Sequence, residues 1–198
     1  MRILLTSFDP FAGETLNVSR EVANQVPAPA DVELFRVDVP VTFADCAVKV
    51  MGEVNAVDPD AVLILGQAGG RKRITIEKWA VNLDDARIPD NSGAQPTAKR
   101  IIEDGPEKIE TMFDLENMMC GLKKRGLEAE VSVDAGRFVC NHLFYKVLAQ
   151  LRKKESPAKA GFVHLPYIRE LCPGKEPAIT LQSATETVYS ILEILKGA

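Results

Sequence analysis

The sequence predicts an α/β layered domain, a mostly parallel sheet between two helical layers, and three observations carry that expectation. Short apolar runs alternate with stretches of helical period along the 198 residues. One run, Ala61-Val-Leu-Ile-Leu65, is apolar without a break, the mark of a strand covered on both faces. No internal repeat, low-complexity tract or linker interrupts the chain, whose length suits a single domain, 1–198.

The elements follow in order. Residues 2–7 form a short apolar run closed by Asp9-Pro10 and Gly13, a buried strand. A short helix is expected from Asn17 or Ser19 to Val26, capped by that polar residue and stopped by Pro27 and Pro29. Val32–Val39 reads as a strand, Thr42–Val57 as a helix ended by Asp58-Pro59, and Ala61–Leu65 as the strand before Gly66. Residues 74–82 read as a further strand. Residues 83–106 are rich in Asp, Pro, Asn and Gly and longer than a plain connection, as functional lids often are. A helix is expected over 107–125, with Leu115, Met118, Met119 and Leu122 on one stripe. A strand over 128–133, a helix over 138–154, a strand over 160–165 and a closing helix over 178–196 complete the series. In such sheets the site lies beyond the carboxyl ends of strands, where Gly66, Asp134–Cys140 and His164 fall.

Composition excludes several classes of function. With 46% hydrophobic and 26% charged residues the chain can bury a full core. A net charge of -4 speaks against a nucleic-acid or anionic-membrane partner. No run approaches the 18 or so apolar residues of a membrane span, and the first ten residues meet Asp9 too early for a signal peptide. The expected location is the cytoplasm. Four cysteines at 46, 120, 140 and 172 are then expected as free thiols. Two histidines without metal-ligand spacing give no ground for a metal site.

Cys140 opens the amphipathic helix in the stretch Asp134-Ala-Gly-Arg-Phe-Val-Cys-Asn-His142. Positions 140, 143, 144, 147, 148 and 151 make one apolar stripe, so the thiol could be a small core residue. Against that, unpaired N–H groups of the first turn favour thiolate, the form that attacks carbonyls. A base must lie within about 3 Å of the nucleophile, itself oriented by a third group. His142 is two positions from Cys140 and does not face it; it is expected on the solvent side. His164, ending a strand, is the better base. For the third group, Glu77 shares a strand face by alternation with Thr75, Trp79 and Val81. A carboxylate there needs a positive partner: an imidazolium, or Arg71, Arg73 or Arg87. Asp84, Asp85 and Asp90 compete for the same role. Gly66-Gln-Ala-Gly-Gly-Arg71 lacks the lysine and helix of a phosphate loop, and fits a tight turn or a backbone cradle for a small polar ligand.

With these residues assembled, the chain resembles the pyroglutamyl peptidase type I family of cysteine peptidases. The matching segments are Thr6–Phe11 with Asn17, Gly66–Arg71, Glu77–Asn82, Asp84–Asn91, Ala135–His142 and Gly161–Ile168, nearly the whole chain in the family's order. The resemblance implies a three-layer α/β/α sandwich with a twisted, mostly parallel central sheet. It implies Cys140 as nucleophile, His164 as general base and Glu77 as the orienting carboxylate, with Arg87 and the Cys140 N–H at the oxyanion. It implies a pyrrolidone pocket walled by Phe8, Phe11, Ile88, Phe138 and Val139, with Asn17 and Gln67 also at the substrate. Its expected ligands are N-terminally pyroglutamylated peptides, with no cofactor, and its expected assembly a homo-oligomer, tetramer or dimer.

The chain also departs from the family pattern. Ser7 and Ala12 stand where glycine is usual, Val18 where proline is, and Arg137 replaces a small hydroxyl residue beside the nucleophile. Ala12 is strained if that position has positive φ. Ile109–Asp114 differs from an aromatic-rich stretch, with Glu110 in an aromatic's place. Two further functions are therefore carried forward: a thiol hydrolase of altered N-terminal specificity, and a non-catalytic pyroglutamate-binding protein.

Overall fold

A central sheet of six strands, ordered β2-β1-β3-β8-β4-β7, organises the computed structural model, which describes residues 1–197. Its strands are β1 (Arg2–Phe8), β2 (Glu33–Val39), β3 (Ala61–Gln67), β4 (Ile74–Glu77), β7 (Ala129–Ser132) and β8 (Lys159–Leu165). All neighbours run parallel except β4 and β8, which are antiparallel. Helices α2 (Cys46–Val57) and α4 (Val139–Lys153) cover one face; α1 (Val18–Gln25), α3 (Leu115–Lys124) and α5 (Leu181–Lys196) cover the other. The layers are those of an α/β/α sandwich.

The alternation of strands accounts for the two cores. Leu4, Phe8, Val62, Ile64 and Phe162 point to the α2/α4 side, while Ile3, Leu5, Leu63, Leu65 and Val163 point to the other. Each full face must be apolar because helices lie on both, which is why β3 reads as an unbroken hydrophobic run. Asn17 caps α1, its side chain accepting from the Ser19 N–H at 3.1 Å. Packing is close at Gly161, where a Cβ would fall 2.1 Å from the Phe113 ring.

Several sequence expectations are corrected. Residues 74–82 are not one strand: β4 ends at Glu77, and β5 (Trp79–Val81) pairs instead with β6 (Lys108–Glu110) in a separate two-stranded sheet. Trp79 therefore does not share a sheet face with Glu77; Lys78 and Lys108 lie over its ring. The helix expected over 107–125 begins only at Leu115, where the Asp114 side chain accepts from the Asn117 N–H at 3.0 Å. The closing helix begins at Leu181 behind its Thr180 cap, because Ala178–Ile179 forms β10 against β9 (Tyr167–Ile168). Ala12 has φ 54°, the left-handed region that glycine tolerates and alanine resists.

Candidate active site

Strand register brings the acid and the imidazole together. His164 is the penultimate residue of β8 and pairs with Thr75 across the antiparallel β4. Glu77, two residues on from Thr75, points to the same face, toward α4. Its Oε1 lies 2.8 Å from His164 Nδ1 and 2.5 Å from Arg71 Nη1, and Thr75 Oγ1 donates to it at 3.2 Å. Arg71 also donates through Nη2 to the Asp134 carbonyl at 2.9 Å and bonds the Thr75 hydroxyl. Glu77 is fully buried and His164 only 3% exposed. The His164 ring packs at 4.5 Å from Phe162 and over Gly66, whose missing Cβ leaves room for both rings.

The charges are consistent with that geometry. Burial opposes ionisation of Glu77, but the His164 bond and the Arg71 charge outweigh it and hold the carboxyl below its ordinary value. Burial pushes His164 below its ordinary value of 6.5, against the pull of Glu77 and with help from Arg71, so the ring is neutral near pH 7. Because the carboxylate engages Nδ1, the neutral ring carries its proton there and leaves Nε2 as a lone-pair base.

Cys140 is the second residue of α4, whose Phe138 cap offers no side chain to the first turn. Gly136, at φ 82°, and the Asp134 carboxylate, which accepts from the Gly136 N–H at 3.0 Å, shape the approach. Position alone favours thiolate, but burial and the Glu77 charge prevail over Arg71 and push the thiol up to about 12. The resting sulfur is protonated. Cys140 and His164 line one open cleft of about 700 Å³, and no hydrogen bond links them among the described residues. Such contacts commonly tighten only when substrate is bound.

The other expected site residues converge here as well. Phe11, Gln67, Arg87, Ile88 and Phe138 line the same cleft. Phe8, Asn17 and Val139 join Phe11, Gln67, Phe138 and Cys140 around a recess with about 10 Å³ free, room for one water. Phe11 and Phe138 are only half-buried and stack at 6.1 Å. The Asn17 side-chain oxygen is committed to Ser19 and its amide donates to the Asp9 carbonyl, so it shapes the recess while holding α1. Gln67 accepts from the Val18 N–H through Oε1, and its amide nitrogen has no partner among the described residues. Arg87 is exposed and makes no hydrogen bond or ion pair among the described residues.

The competing carboxylates have other work. Asp85 accepts from the Ala98 N–H, and Asp90 from Phe43, Ser92 and Ala94, which lowers its pKa against the effect of burial. Asp84 pairs with His142, Oδ2 to Nδ1, at 2.7 Å. His142 is thus not on the solvent side: it is 8% exposed, turned toward the 83–106 loop, because that segment folds over the helix start. Asn141 was not singled out by the sequence reading, yet it is fully buried and fastened to Val81 and Leu83. A polar residue directly behind the thiol, inside an amphipathic helix, was the available signal.

A thiol at a helix start that shares a cleft with a carboxylate-bound imidazole, at the ends of sheet strands, is the constellation of a cysteine hydrolase on an α/β/α scaffold. The model of the pyroglutamyl peptidase family matches residues 1–196. Pyrrolidone-carboxylate peptidase 1 of Caldanaerobacter subterraneus subsp. tengcongensis is 38% identical over 100% of this chain and 99% of its own. The enzyme of an Enterobacter species is 39% identical over 97% and 89%. The crystal structure of Bacillus amyloliquefaciens pyroglutamyl peptidase I superposes with a TM-score of 0.94, at 35% identity over 100% and 97% of the two chains. A mutant pyrrolidone carboxyl peptidase of Pyrococcus furiosus superposes at 0.93, with 30% identity over 100% and 99%. The chain belongs to the pyroglutamyl peptidase family.

Proposed function

We propose that the protein is a cysteine exopeptidase that hydrolyses the amide bond after an N-terminal pyroglutamyl residue. The observation that carries the reading is that Cys140 and His164 line one cleft, with Glu77 buried behind the imidazole at 2.8 Å, beside an apolar recess without a carboxylate. Pyroglutamate has a neutral lactam and no free amine, which suits apolar walls and amide partners such as Gln67. With about 10 Å³ free, the recess takes the ring only when the half-buried Phe11 and Phe138 move aside.

His164 Nε2 takes the thiol proton as sulfur attacks the carbonyl, so the protonated resting thiol is activated only against a bound substrate. The Cys140 N–H and Arg87 hold the oxyanion. The imidazolium, steadied by Glu77, gives its proton to the departing amine, and a thioester remains. His164 then draws a proton from water, which cleaves the thioester and frees pyroglutamate and thiol. No metal or cofactor enters these steps.

The test is release of a fluorescent amine from its pyroglutamyl amide under reducing conditions. Wild type should turn over and Cys140→Ala should lose at least about 10³-fold in kcat/KM; folded but inactive wild type would reject the peptidase. Prolyl amides should be disfavoured by about 10⁴, since they leave lactam-binding groups unpaired. The alternative of altered N-terminal specificity draws on Arg137, which sits at the cleft rim bound to Asp134 at 2.6 Å. A panel of other N-blocked amides separates the two.

One domain over 1–198, whose last residue lies outside the described ones, is supported by a single six-stranded sheet that draws strands from Arg2 to Leu165. A homo-oligomer, tetramer or dimer, is supported by Val131 and Val133, exposed at 39% and 68% on or beside the edge strand β7. Light scattering after gel filtration reads the mass. A cytoplasmic location is supported by four free cysteines, and no helix among the described residues is long and apolar enough to cross a membrane.

A further inference from the structure

Among the described residues Arg87 has no hydrogen-bond or ion-pair partner of its own, so something else must place it. The segment that bears it forms an arch with two feet. Between them the Ala86 N–H donates to the Pro96 carbonyl at 2.8 Å, the Ala86 carbonyl accepts from the Gln95 amide at 3.1 Å and the Asp84 backbone bridges to Lys99. At the first, Asn141 accepts from the Val81 N–H at 2.9 Å and donates to the Val81 and Leu83 carbonyls at 2.9 and 3.1 Å. The next two residues are held as well: Asp84 by His142 at 2.7 Å, and the Asp85 N–H by the Arg137 carbonyl at 3.0 Å. At the second foot, Asp90 accepts from the Phe43 N–H at 2.8 Å, the Asn91 N–H donates to the Val41 carbonyl at 3.0 Å, and the Asn91 amide donates to the Pro10 carbonyl at 2.8 Å. Arg87, Ile88 and Pro89 span the gap, exposed.

The first foot belongs to the nucleophile's own helix turn, since Asn141 and His142 follow Cys140 directly. His142 is stiffened in turn by Phe43, edge-on at 5.5 Å, and Phe43 meets Phe138 of the recess in the same way at 5.5 Å. We infer that His142 and Asp84, with Asn141, are positioning residues that fix the Arg87 arch relative to the Cys140 sulfur. The inference rests on Arg87 serving the oxyanion. Loss of the latch leaves the thiol, its base and the recess in place and misplaces one cationic donor.

The test is a kinetic cycle of His142→Leu and Arg87→Ala, with His142→Asn as the conservative variant, because asparagine places an N–H where Nδ1 stands. A misplaced donor should reduce kcat of His142→Leu by about 10- to 100-fold with KM little changed. His142→Asn should recover most of the loss. In the Arg87→Ala background the same substitution should cost less than about three-fold, since the donor it positions is gone. Asp84→Asn, which keeps shape and loses charge, serves if the leucine variant does not fold, and should show the same coupling to Arg87. Equal losses in both backgrounds, or activity of His142→Leu within about two-fold of wild type, would overturn the inference. Wild type inactive on every pyroglutamyl amide would instead sink the peptidase reading. Amide exchange then decides the latch: the Asp85 and Ala86 N–H groups, bonded to the Arg137 and Pro96 carbonyls at 3.0 and 2.8 Å, should exchange at least about ten-fold faster in His142→Leu, and unchanged rates refute it.

Discussion

Gly66→Ala isolates how far the imidazole depends on the absence of a single methyl. Gly66 pairs with His164 across β3 and β8, and a Cβ there would lie 2.7 Å from Phe162 Cζ and 3.1 Å from His164 Cδ2. Ordinary carbon contacts begin at roughly 3.5 Å, so the phenyl ring must retreat by about 0.8 Å or more. It has little room. Phe162 is fully buried between Phe8, Phe144 and His164, with ring centroids at 6.4, 5.6 and 4.5 Å. Overpacking of this kind destabilises by about 1–3 kcal/mol, which for a chain of this size lowers Tm by about 2–12 °C. A base displaced by a fraction of an ångström should reduce kcat/KM by about 10- to 100-fold, given that 1 Å can cost about 10². Thermal unfolding followed by circular dichroism, with turnover of a pyroglutamyl amide well below Tm, reads both effects. Adding Phe162→Leu, which withdraws the ring's far edge, should return part of the activity. Turnover within about two-fold of wild type in Gly66→Ala would refute the claim that this contact seats His164.

Acid and alkali should each destabilise the fold through the same cluster. His164 and Glu77 have depressed values, so their contribution is complete above the ordinary 6.5 and 4.5 and is lost as pH falls through the folded values. The Cys140 thiol is raised, so stability is complete below 9.0 and lost as pH rises through about 12; urea unfolding should give a plateau between 6.5 and 9.0. Burial is the main cause of the depressed His164 value and the Arg71 charge adds to it, so in Arg71→Gln the acid limb of kcat/KM should move to higher pH; an unmoved limb would show that Arg71 does not bear on the base. Near neutral pH and without substrate, iodoacetamide should modify exposed Cys120 before Cys140, contrary to the thiolate expected from helix position; peptide mapping by mass spectrometry checks the order. Ala12→Gly should raise stability by about 0.5–1 kcal/mol, the left-handed strain relieved less the extra freedom of the unfolded chain; a fall in Tm would contradict the strain.

What could be read from the sequence followed period and punctuation. The unbroken run at Ala61–Leu65, the Asn17 cap and the stripe from Cys140 to Leu151 each carried its element within a few residues. The 74–82 segment failed because alternation continues through Lys78 while the backbone changes sheets, and alternation does not encode a strand's partner. The 107–125 segment failed because the Leu115–Leu122 stripe is helical but Lys108–Glu110 pairs with β5, a long-range preference that no local propensity reports. At the site, Cys140 and His164 were accessible by elimination among two histidines, whereas the choice of Glu77 over Asp84, Asp85 and Asp90 rested on the family resemblance. Antiparallel pairing of Thr75 with His164 was needed to make that choice physically. The burial of His142 was missed because helix spacing says which face a side chain takes, not whether a later loop will cover it.

The placement of β8 between β3 and β4 has a consequence during synthesis. A growing chain that has already exposed Glu77 and Cys140 still lacks the imidazole, which is carried by the strand that completes the middle of the sheet. Until that late segment leaves the ribosome and slots between its two older neighbours, the sulfur lacks the base proposed for it. On the roles proposed for Cys140 and His164, unfinished polypeptides therefore carry the thiol in an inert form, and cleavage begins only once the scaffold has closed.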